Sequence, residues 1–504
     1  MESKKRVLKR KPNIALIAPQ VIGAKNQVRK AVPPLGIACL AATLEEKGYN
    51  NILLIDAVAE DYSNKVILED NPDFIKFGIS NENIIEKIKR FKPDLLGISS
   101  LFSSQSECAF SLAKAVKKYF PELPIIMGGN HVSNTARKIM QEENSVDFVI
   151  EGEADYSFVE FVEKYFGGKD YHQVSGLVWR NGNEIYSNPK TSVIIDMDKL
   201  PFPAFHLYDM EKYFEIGMPH NPFVKSNRVG SIITSRGCPQ DCYYCSVPGY
   251  LGHRFRAMSS KRVIEMVQKL VDRFAIKELQ FLDDSFTTNY IRVIEIFEGI
   301  KHLDLRISFP NAIRADLPKD REKRLKMFKV MGSAGVSQVG FSAEHGDQDF
   351  LNNVIGKRLD LQELIVSCDM AHEAGILVHA NFMMGFPFEK AGNRQRTIDF
   401  ARKLDADSFS VSLVAPFPGT TLWDIVEKNN LFVDSFDINR MVLSRVNIKP
   451  FDISPEELYN IADNLNRELN EKAQTKRPET IEKYKLFKGK TAEGDRKYHF
   501  IKDV

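Results

Sequence analysis

The sequence predicts an α/β protein of two consecutive domains: a flavodoxin-like doubly wound parallel sheet, then a partial (β/α)6 barrel with a small helical C-terminal segment. Two series of short apolar runs, each alternating with amphipathic helical stretches, indicate these domains, because near-continuous apolar strands are typical of parallel sheets covered on both faces. Between the two series, the stretch KLPFPAFHL resists both helix and sheet because it contains two prolines.

The composition is that of an ordinary folded protein. Hydrophobic residues make up 43% and charged residues 27% of the 504 residues, which excludes disordered, collagenous and disulfide-scaffold classes. A net charge of +2 gives no global electrostatic reason to bind nucleic acid or a membrane surface. No run reaches the roughly 18 to 20 apolar residues of a membrane span, and the N-terminus lacks the apolar core of a signal peptide. We therefore expect a cytoplasmic protein without integral membrane contact.

We predict a basic tail over residues 1–11 and the first domain over residues 12–170. Five apolar runs are predicted as its strands: 13–18, 51–56, 95–100, 124–129 and 147–152. Ligands of doubly wound sheets bind beyond the carboxyl ends of the strands. The residues that end the last three strands are therefore candidate binding residues: Ser99, Leu101, Gly128, Gly129, Glu151 and Gly152. No G-x-G-x-x-G follows the first strand, which disfavours a dinucleotide.

Residues 171–225 are predicted as a connector with a hairpin that turns at Asn181 and Gly182, and residues 226–435 as the barrel. Its six strands are expected at 229–235, 277–283, 306–310, 337–343, 376–384 and 408–414, with a helix at 260–274. Residues 436–504 are predicted as a helical segment, with a helix at 455–472, and a charged tail.

Three of the six cysteines crowd together in the segment SRGCPQDCYYCSVPGY, directly after the first barrel strand. Cys238, Cys242 and Cys245 therefore lie at the mouth where such folds place their chemistry. A structural zinc site normally has four protein ligands, and the nearest candidate for the fourth is His253. An iron–sulfur cubane with one open iron accounts better for three thiolates, and a zinc knuckle is the alternative. The other cysteines are predicted to be small buried residues: Cys39, Cys108 and Cys368.

This cysteine spacing, with Tyr244 before the last cysteine, resembles the signature of the radical S-adenosylmethionine superfamily. In that family the open iron of a [4Fe–4S] cluster chelates S-adenosylmethionine, whose reductive cleavage gives a 5′-deoxyadenosyl radical. The resemblance implies an electron donor of low potential, such as flavodoxin or ferredoxin. It also implies cofactor-binding residues at the strand ends: Tyr244, Asp283, Asp284, Arg314, Ser342 and Glu344.

These residues have different expected roles. Asp283 and Asp284 would accept from the methionine ammonium, and capping of the next helix is the equal alternative. Arg314 would hold a carboxylate or meet the ribose, while Ser342 and Glu344 would hydrogen-bond hydroxyl groups.

The strand ends of the first domain resemble the S-x-L and G-G elements of cobalamin-binding domains, at Ser99 to Leu101 and at Gly128 and Gly129. The resemblance implies a bound cobalamin. The D-x-H-x-x-G motif of several cobalamin enzymes is absent after the first strand, where the sequence reads APQVIGAKNQV. A water or vacant lower cobalt face is therefore expected, and His131 is not assigned as the ligand.

Residues 12–435 together resemble the group that includes the anaerobic magnesium-protoporphyrin monomethyl ester cyclase and the cobalamin-dependent radical methylases. The leading hypothesis is methyl transfer to an unactivated carbon or phosphorus centre of a small molecule. The alternatives are an oxidative cyclase or another radical rearrangement, and a cobalamin-binding regulator whose cluster is structural. Nucleic acid is not expected, because the basic C-terminal tail has few interleaved aromatic residues. No catalytic side chain is assigned.

Overall fold

The computed structural model describes residues 8–477 except 26, 28, 192, 222 and 223. Most of the predicted basic tail and the charged tail beyond residue 477 lie outside the described residues. Two parallel sheets follow one another along the chain. Over the described ranges, we find no helix that is both long enough and apolar enough to span a membrane.

The first domain contains ten strands and six helices in the described residues. The strands are β1 (Ile14–Ala18), β2 (Val21–Ala24), β3 (Ile52–Asp56), β4 (Lys65–Ile67), β5 (Phe74–Phe77), β6 (Leu95–Ser99), β7 (Ile125–Gly128), β8 (Phe148–Ile150), β9 (Leu177–Asn181) and β10 (Glu184–Ser187). The helices are α1 (Leu35–Glu46), α2 (Ala57–Glu60), α3 (Asn81–Phe91), α4 (Ser106–Tyr119), α5 (Asn130–Glu142) and α6 (Asp155–Phe166).

The five predicted strands of this domain are confirmed as a parallel sheet in the order β8-β7-β6-β1-β3. The predicted hairpin is also confirmed, with Gly182 at a φ of +62° in its turn. Its first strand pairs antiparallel with β8, however, so the sheet continues to Ser187. The predicted boundary at residue 170 therefore falls inside the domain. The hairpin covers what would otherwise be an exposed sheet edge.

The second domain contains nine helices and eight strands in the described residues. Its helices are α7 (Met210–Ile216), α8 (Val247–Leu251), α9 (Ser260–Phe274), α10 (Tyr290–Ile300), α11 (Arg321–Ser333), α12 (Leu361–Glu373), α13 (Ala391–Lys403), α14 (Thr421–Lys428) and α15 (Pro455–Lys476). Its strands are β11 (Val229–Ile232), β12 (Ser235–Arg236), β13 (Arg256–Ala257), β14 (Glu278–Phe281), β15 (Arg306–Ser308), β16 (Val336–Glu344), β17 (Leu377–Met384) and β18 (Ser408–Leu413).

Six of these strands form one sheet in sequence order, β11-β14-β15-β16-β17-β18, and all pairs are parallel. The predicted partial barrel is confirmed. Helix α9 shows why the prediction worked: the Ser259 side chain accepts a hydrogen bond from the Arg262 amide, and an apolar stripe on the helix is buried.

The predicted C-terminal helix is confirmed as α15. It begins with a capping box between Ser454 and Glu457 and packs against the edge strand β18. Asn470, 2% exposed, accepts from the Phe409 amide at 2.9 Å and donates to the Phe409 carbonyl at 3.0 Å. The Asn470 side-chain amide thus satisfies backbone groups of the edge strand β18 that no further strand in the described residues pairs with.

Replacing Asn470 with alanine should destabilise the protein by about 2 to 4 kcal/mol, because a buried amide and a buried carbonyl would lose their partners. The shift of the urea unfolding midpoint measures this loss. Asn429→Ala is the matched control, since that amide only donates to the Ile425 carbonyl on an exposed helix end. Equal losses in the two variants would contradict the expected role of Asn470.

Candidate active site

The three cysteines lie on one loop between β12 and β13, a two-stranded ribbon at the carboxyl end of the barrel. The loop turns tightly at Gly237, whose φ is +82° and whose Cβ, if present, would lie 2.3 Å from the Arg254 carbonyl oxygen. Cys238, Cys242 and Cys245 are free and half-buried. Burial raises the pKa of the Cys245 thiol to about 12. A bound metal would reverse that effect, since coordinated thiols are deprotonated.

Among the residues that the structure describes, no three His, Cys, Asp or Glu side chains are placed to share a single metal ion. A cubane does not require such convergence, because each cysteine binds a different iron. The donor set of three thiolates on one loop therefore fits the predicted [4Fe–4S] cluster.

Tyr244, within the cysteine motif, and Lys357, in the segment that joins β16 to α12, both hydrogen-bond Glu344. The Tyr244 hydroxyl and the Lys357 ammonium donate to the same Glu344 oxygen at 2.8 and 2.9 Å. Burial alone would lower the pKa of Lys357, but Glu344 and Cys242 outweigh it and the pKa is raised. Lys357 was missed by the sequence analysis, because it carries no motif. Gly356 brings it to the site by packing against the Asp241 carbonyl.

Replacing Lys357 with methionine should lower the reduction potential of the cluster by on the order of 50 mV, because Glu344 would be left as an uncompensated negative charge. A redox titration followed by electron paramagnetic resonance measures the potential. Lys357→Arg, which keeps the charge, should stay near the wild-type value. A methionine variant with an unchanged potential would contradict this expectation.

Asp283 is 2% exposed and accepts hydrogen bonds from the segment that joins β11 to β12. Its carboxylate accepts from the Thr234 amide at 3.1 Å, the Thr234 hydroxyl at 2.8 Å and the Ser235 hydroxyl. Among the described residues, Asp283 Oδ2 accepts only from the Thr234 amide, so the role of Asp283 toward the methionine ammonium stays a prediction. The capping alternative is wrong, since Asn289 caps α10.

Asp284 has no hydrogen-bond or ion-pair partner in the described part of the chain, and it stays a candidate. Burial, with a smaller contribution from the Asp283 charge, raises its pKa to about 6. It lies close enough to Cys245 to raise the pKa of that thiol further.

Arg314 is engaged within this chain, and its predicted role toward a carboxylate or the ribose of the cofactor stays a prediction. It pairs with Asp316 through two hydrogen bonds of 2.5 and 3.2 Å and donates to the backbone carbonyls of Lys357 and Arg358. Arg314 thus holds the loop that carries Lys357. Ser342 lies half-buried on β16 and stays a candidate.

The ends of β6 and β7 form a close backbone contact in the first domain. Gly129 has a φ of +117°, and a Cβ there would lie 2.4 Å from the Ser100 carbonyl oxygen. The Ser100 amide donates to the Gly128 carbonyl at 2.9 Å, and the buried Ser100 hydroxyl has no partner in the described residues. Beyond Ser99, Leu101 is 47% exposed. Partly exposed glycine backbone, an exposed apolar side chain and a buried hydroxyl without a partner in the described residues fit the predicted cobalamin site. We call these strand ends, Ser99 to Leu101 with Gly128 and Gly129, the cobalamin edge.

Lys190 occupies the space beside Gly152, whose role in cofactor binding stays a prediction. A Cβ at Gly152 would lie 1.8 Å from Lys190 Cε, and the Lys190 ammonium donates to the Tyr250 carbonyl in the cysteine loop. Burial raises the pKa of Glu151, and Lys190 partly offsets this. The glycine therefore makes room for a lysine that joins the two domains.

The cobalamin edge and the cysteine loop contact each other. The Asn130 side-chain amide, directly after Gly129, donates to the Ser246 hydroxyl at 2.9 Å, and Ser246 directly follows Cys245. Helix α5 packs against α8 around this bond. The two predicted cofactor sites therefore face each other across the domain boundary.

Comparison with known proteins agrees with this arrangement. The B12 binding domain model matches residues 23–162, and the Radical SAM superfamily model matches residues 232–401. An uncharacterized methyltransferase from Pyrococcus horikoshii is 32% identical over 421 residues, which cover 83% of this chain and 84% of that protein. The chain belongs to the cobalamin-dependent radical S-adenosylmethionine methyltransferases. The cofactors of this family are a [4Fe–4S] cluster, S-adenosylmethionine and cobalamin, as predicted.

Further proteins are similar to this chain over most of their length. The cytidylyl-2-hydroxyethylphosphonate methyltransferase of Streptomyces wedmorensis is 28% identical over 92% of this chain and 90% of its own. The structure of the radical enzyme OxsB with aqua-cobalamin and S-adenosylmethionine bound has a TM-score of 0.70 at 18% identity, over 90% of this chain and 66% of OxsB. The methyltransferase TsrM from Kitasatospora setae gives 0.66 at 16% identity, over 89% and 83%. These two structures confirm the predicted fold.

Proposed function

We propose that this cobalamin-dependent radical S-adenosylmethionine methyltransferase methylates an unactivated carbon or phosphorus centre of a small molecule. The observation that carries the proposal is the hydrogen bond from Asn130 to Ser246, because it seats the cobalamin edge directly against the cysteine loop. The Streptomyces relative supports a small-molecule acceptor, since its name gives a nucleotide-linked phosphonate. We further propose a cytoplasmic location and a flavodoxin or ferredoxin as electron donor.

The residues of the site have distinct proposed tasks. Cys238, Cys242 and Cys245 hold three irons, while Asp284 and Ser342 bind S-adenosylmethionine. When bound, the cluster and S-adenosylmethionine supply radical chemistry and cobalamin supplies a methyl carrier. Glu344 positions Tyr244 by accepting a hydrogen bond from its hydroxyl group, and it holds the buried Lys357 ammonium beside the cysteine loop.

The lower face of the cobalt is proposed to have no histidine ligand from this chain. The segment after β1 forms strand β2 and contains no histidine. His131 is 8% exposed, its Nδ1 lies 3.0 Å from the Ser103 hydroxyl, and burial lowers its pKa to about 4. The electron paramagnetic resonance spectrum of bound cob(II)alamin should therefore show no splitting from a histidine nitrogen of this chain, so labelling the histidines with ¹⁵N should leave it unchanged.

The proposed function is tested by purifying the protein anaerobically and quantifying iron, sulfide and corrinoid on the same sample. S-adenosylmethionine and a low-potential reductant are then added. About four irons and one corrinoid per chain, with formation of methylcobalamin and 5′-deoxyadenosine, are expected. A sample that forms 5′-deoxyadenosine but retains no corrinoid would overturn the cobalamin-dependent assignment. A sample that retains corrinoid but never forms methylcobalamin would favour the cyclase-type alternative.

A further inference from the structure

Two arginine–carboxylate pairs, one buried and one partly buried, join the cysteine loop to the strand end beside the cobalamin edge. Arg236 donates to the two carboxylate oxygens of Asp155 at 2.7 and 3.1 Å. Arg256 donates to both oxygens of Glu153, one of them at 2.8 Å. The side chains of Arg256 and Glu153 are 2% and 1% exposed. Both contacts are bidentate, the geometry that fixes orientation as well as distance.

The arginines lie where they control the cysteine loop. Arg236 and Arg256 are paired residues of the β12–β13 ribbon, so they face each other at the two ends of the loop. Arg236 precedes Cys238 by two positions. Arg256 also donates to the carbonyls of Ile194 and Leu251, each at 2.9 Å, and to that of Arg254 at 3.4 Å. The stem of the cysteine loop is therefore held rigidly on both strands.

The carboxylates lie on the opposite domain. Glu153 and Asp155 follow strand β8, next to the strand ends that form the cobalamin edge, and Asp155 begins helix α6. Burial alone would raise the pKa of Asp155, but the charge and hydrogen bonds of Arg236 outweigh it and the pKa is lowered. Arg236 also lies 3.9 Å from Glu153, which links the two pairs into one network.

We infer that these four residues are positioning residues that set the distance and orientation between the cluster and the cobalamin, an inference that rests on the proposed function. Buried ion pairs add little net stability compared with well-packed apolar side chains, because desolvation offsets their attraction. What bidentate pairs supply is a single fixed geometry. The residues that these pairs join are the stem of the cluster loop and the end of a strand at the cobalamin edge.

The test uses the spin–spin interaction between the reduced cluster and cob(II)alamin in the full-length holoenzyme, because this interaction weakens steeply as the separation grows. The variants Asp155→Asn and Glu153→Gln keep the side-chain shape and remove the charge. We expect wild-type contents of iron and corrinoid, with at least a twofold change in the interaction. Arg236→Asp combined with Asp155→Arg restores the pair with reversed polarity and should recover most of the wild-type interaction.

Arg402→Gln is the matched control, because Arg402 makes an equally bidentate pair with Glu468 at 2.7 Å within the barrel domain alone. It should leave the interaction unchanged. An unchanged spin–spin interaction in both carboxylate variants would overturn the inference. Variants that lose the cluster or the corrinoid would also overturn it, because that loss would show that the carboxylates act only in folding. A wild-type protein that binds no corrinoid would instead refute the proposed function.

Discussion

Replacing Cys242 with alanine is expected to abolish formation of 5′-deoxyadenosine, with a decrease of at least about 1,000-fold. Three thiolates are the whole ligand set proposed for the cluster, so the loss of one leaves two irons at most with protein ligands. Cys242 lies beside Lys357, in the centre of the loop that the network of Tyr244 and Glu344 holds. Iron and sulfide contents of the purified variant, and the rate of S-adenosylmethionine cleavage, measure the effect.

The control for this variant is Cys368→Ala. Cys368 is a 1% exposed thiol on helix α12, so its loss should reduce stability slightly and leave the iron content unchanged. Corrinoid content should stay at the wild-type level in both variants, because the cobalamin edge is built from strands of the other domain. A Cys242 variant that still binds four irons would refute the proposed ligand set.

The fold could be predicted from the sequence because its signals are local. Parallel strands buried on both faces are continuous apolar runs, and all eleven strands that were predicted for the two parallel sheets are present. The cysteine spacing is local too, and with Tyr244 it indicates the cluster. The hairpin was predicted by its turn, but its membership of the first sheet depends on pairing with β8, which no short pattern reveals.

The roles of individual polar residues depend on contacts between distant parts of the chain. Position at a strand end predicts that a side chain lies near the site, and this holds for Asp283 and Arg314. Whether its polar atoms are free is decided by other elements: Thr234 engages Asp283, and Asp316 engages Arg314. For the same reason no local pattern marks the residues whose partners lie far along the chain: Glu153, Asp155, Lys190, Arg236, Arg256 and Lys357.

Replacing Gly129 with alanine should weaken cobalamin binding at least about tenfold, which corresponds to about 1.4 kcal/mol. The alanine Cβ would lie 2.4 Å from the Ser100 carbonyl oxygen, and a φ of +117° is strained for any residue with a side chain. The ends of β6 and β7 must therefore separate, which displaces Ser100 and Leu101 at the proposed cobalamin edge. Titration of the anaerobic protein with hydroxocobalamin, followed by absorbance, measures the dissociation constant.

Gly182→Ala separates backbone strain from steric displacement. Gly182 also has a positive φ, +62°, but a Cβ there would meet nothing within 4 Å, and the hairpin turn lies away from the strand ends of β6 and β7. This variant should lose about 1 kcal/mol of stability and keep the wild-type affinity for cobalamin. If both alanine variants bind cobalamin as the wild type does, the contact between Gly129 and Ser100 does not shape the binding edge. If only Gly129→Ala weakens binding, the corrinoid lies against this pair of strand ends.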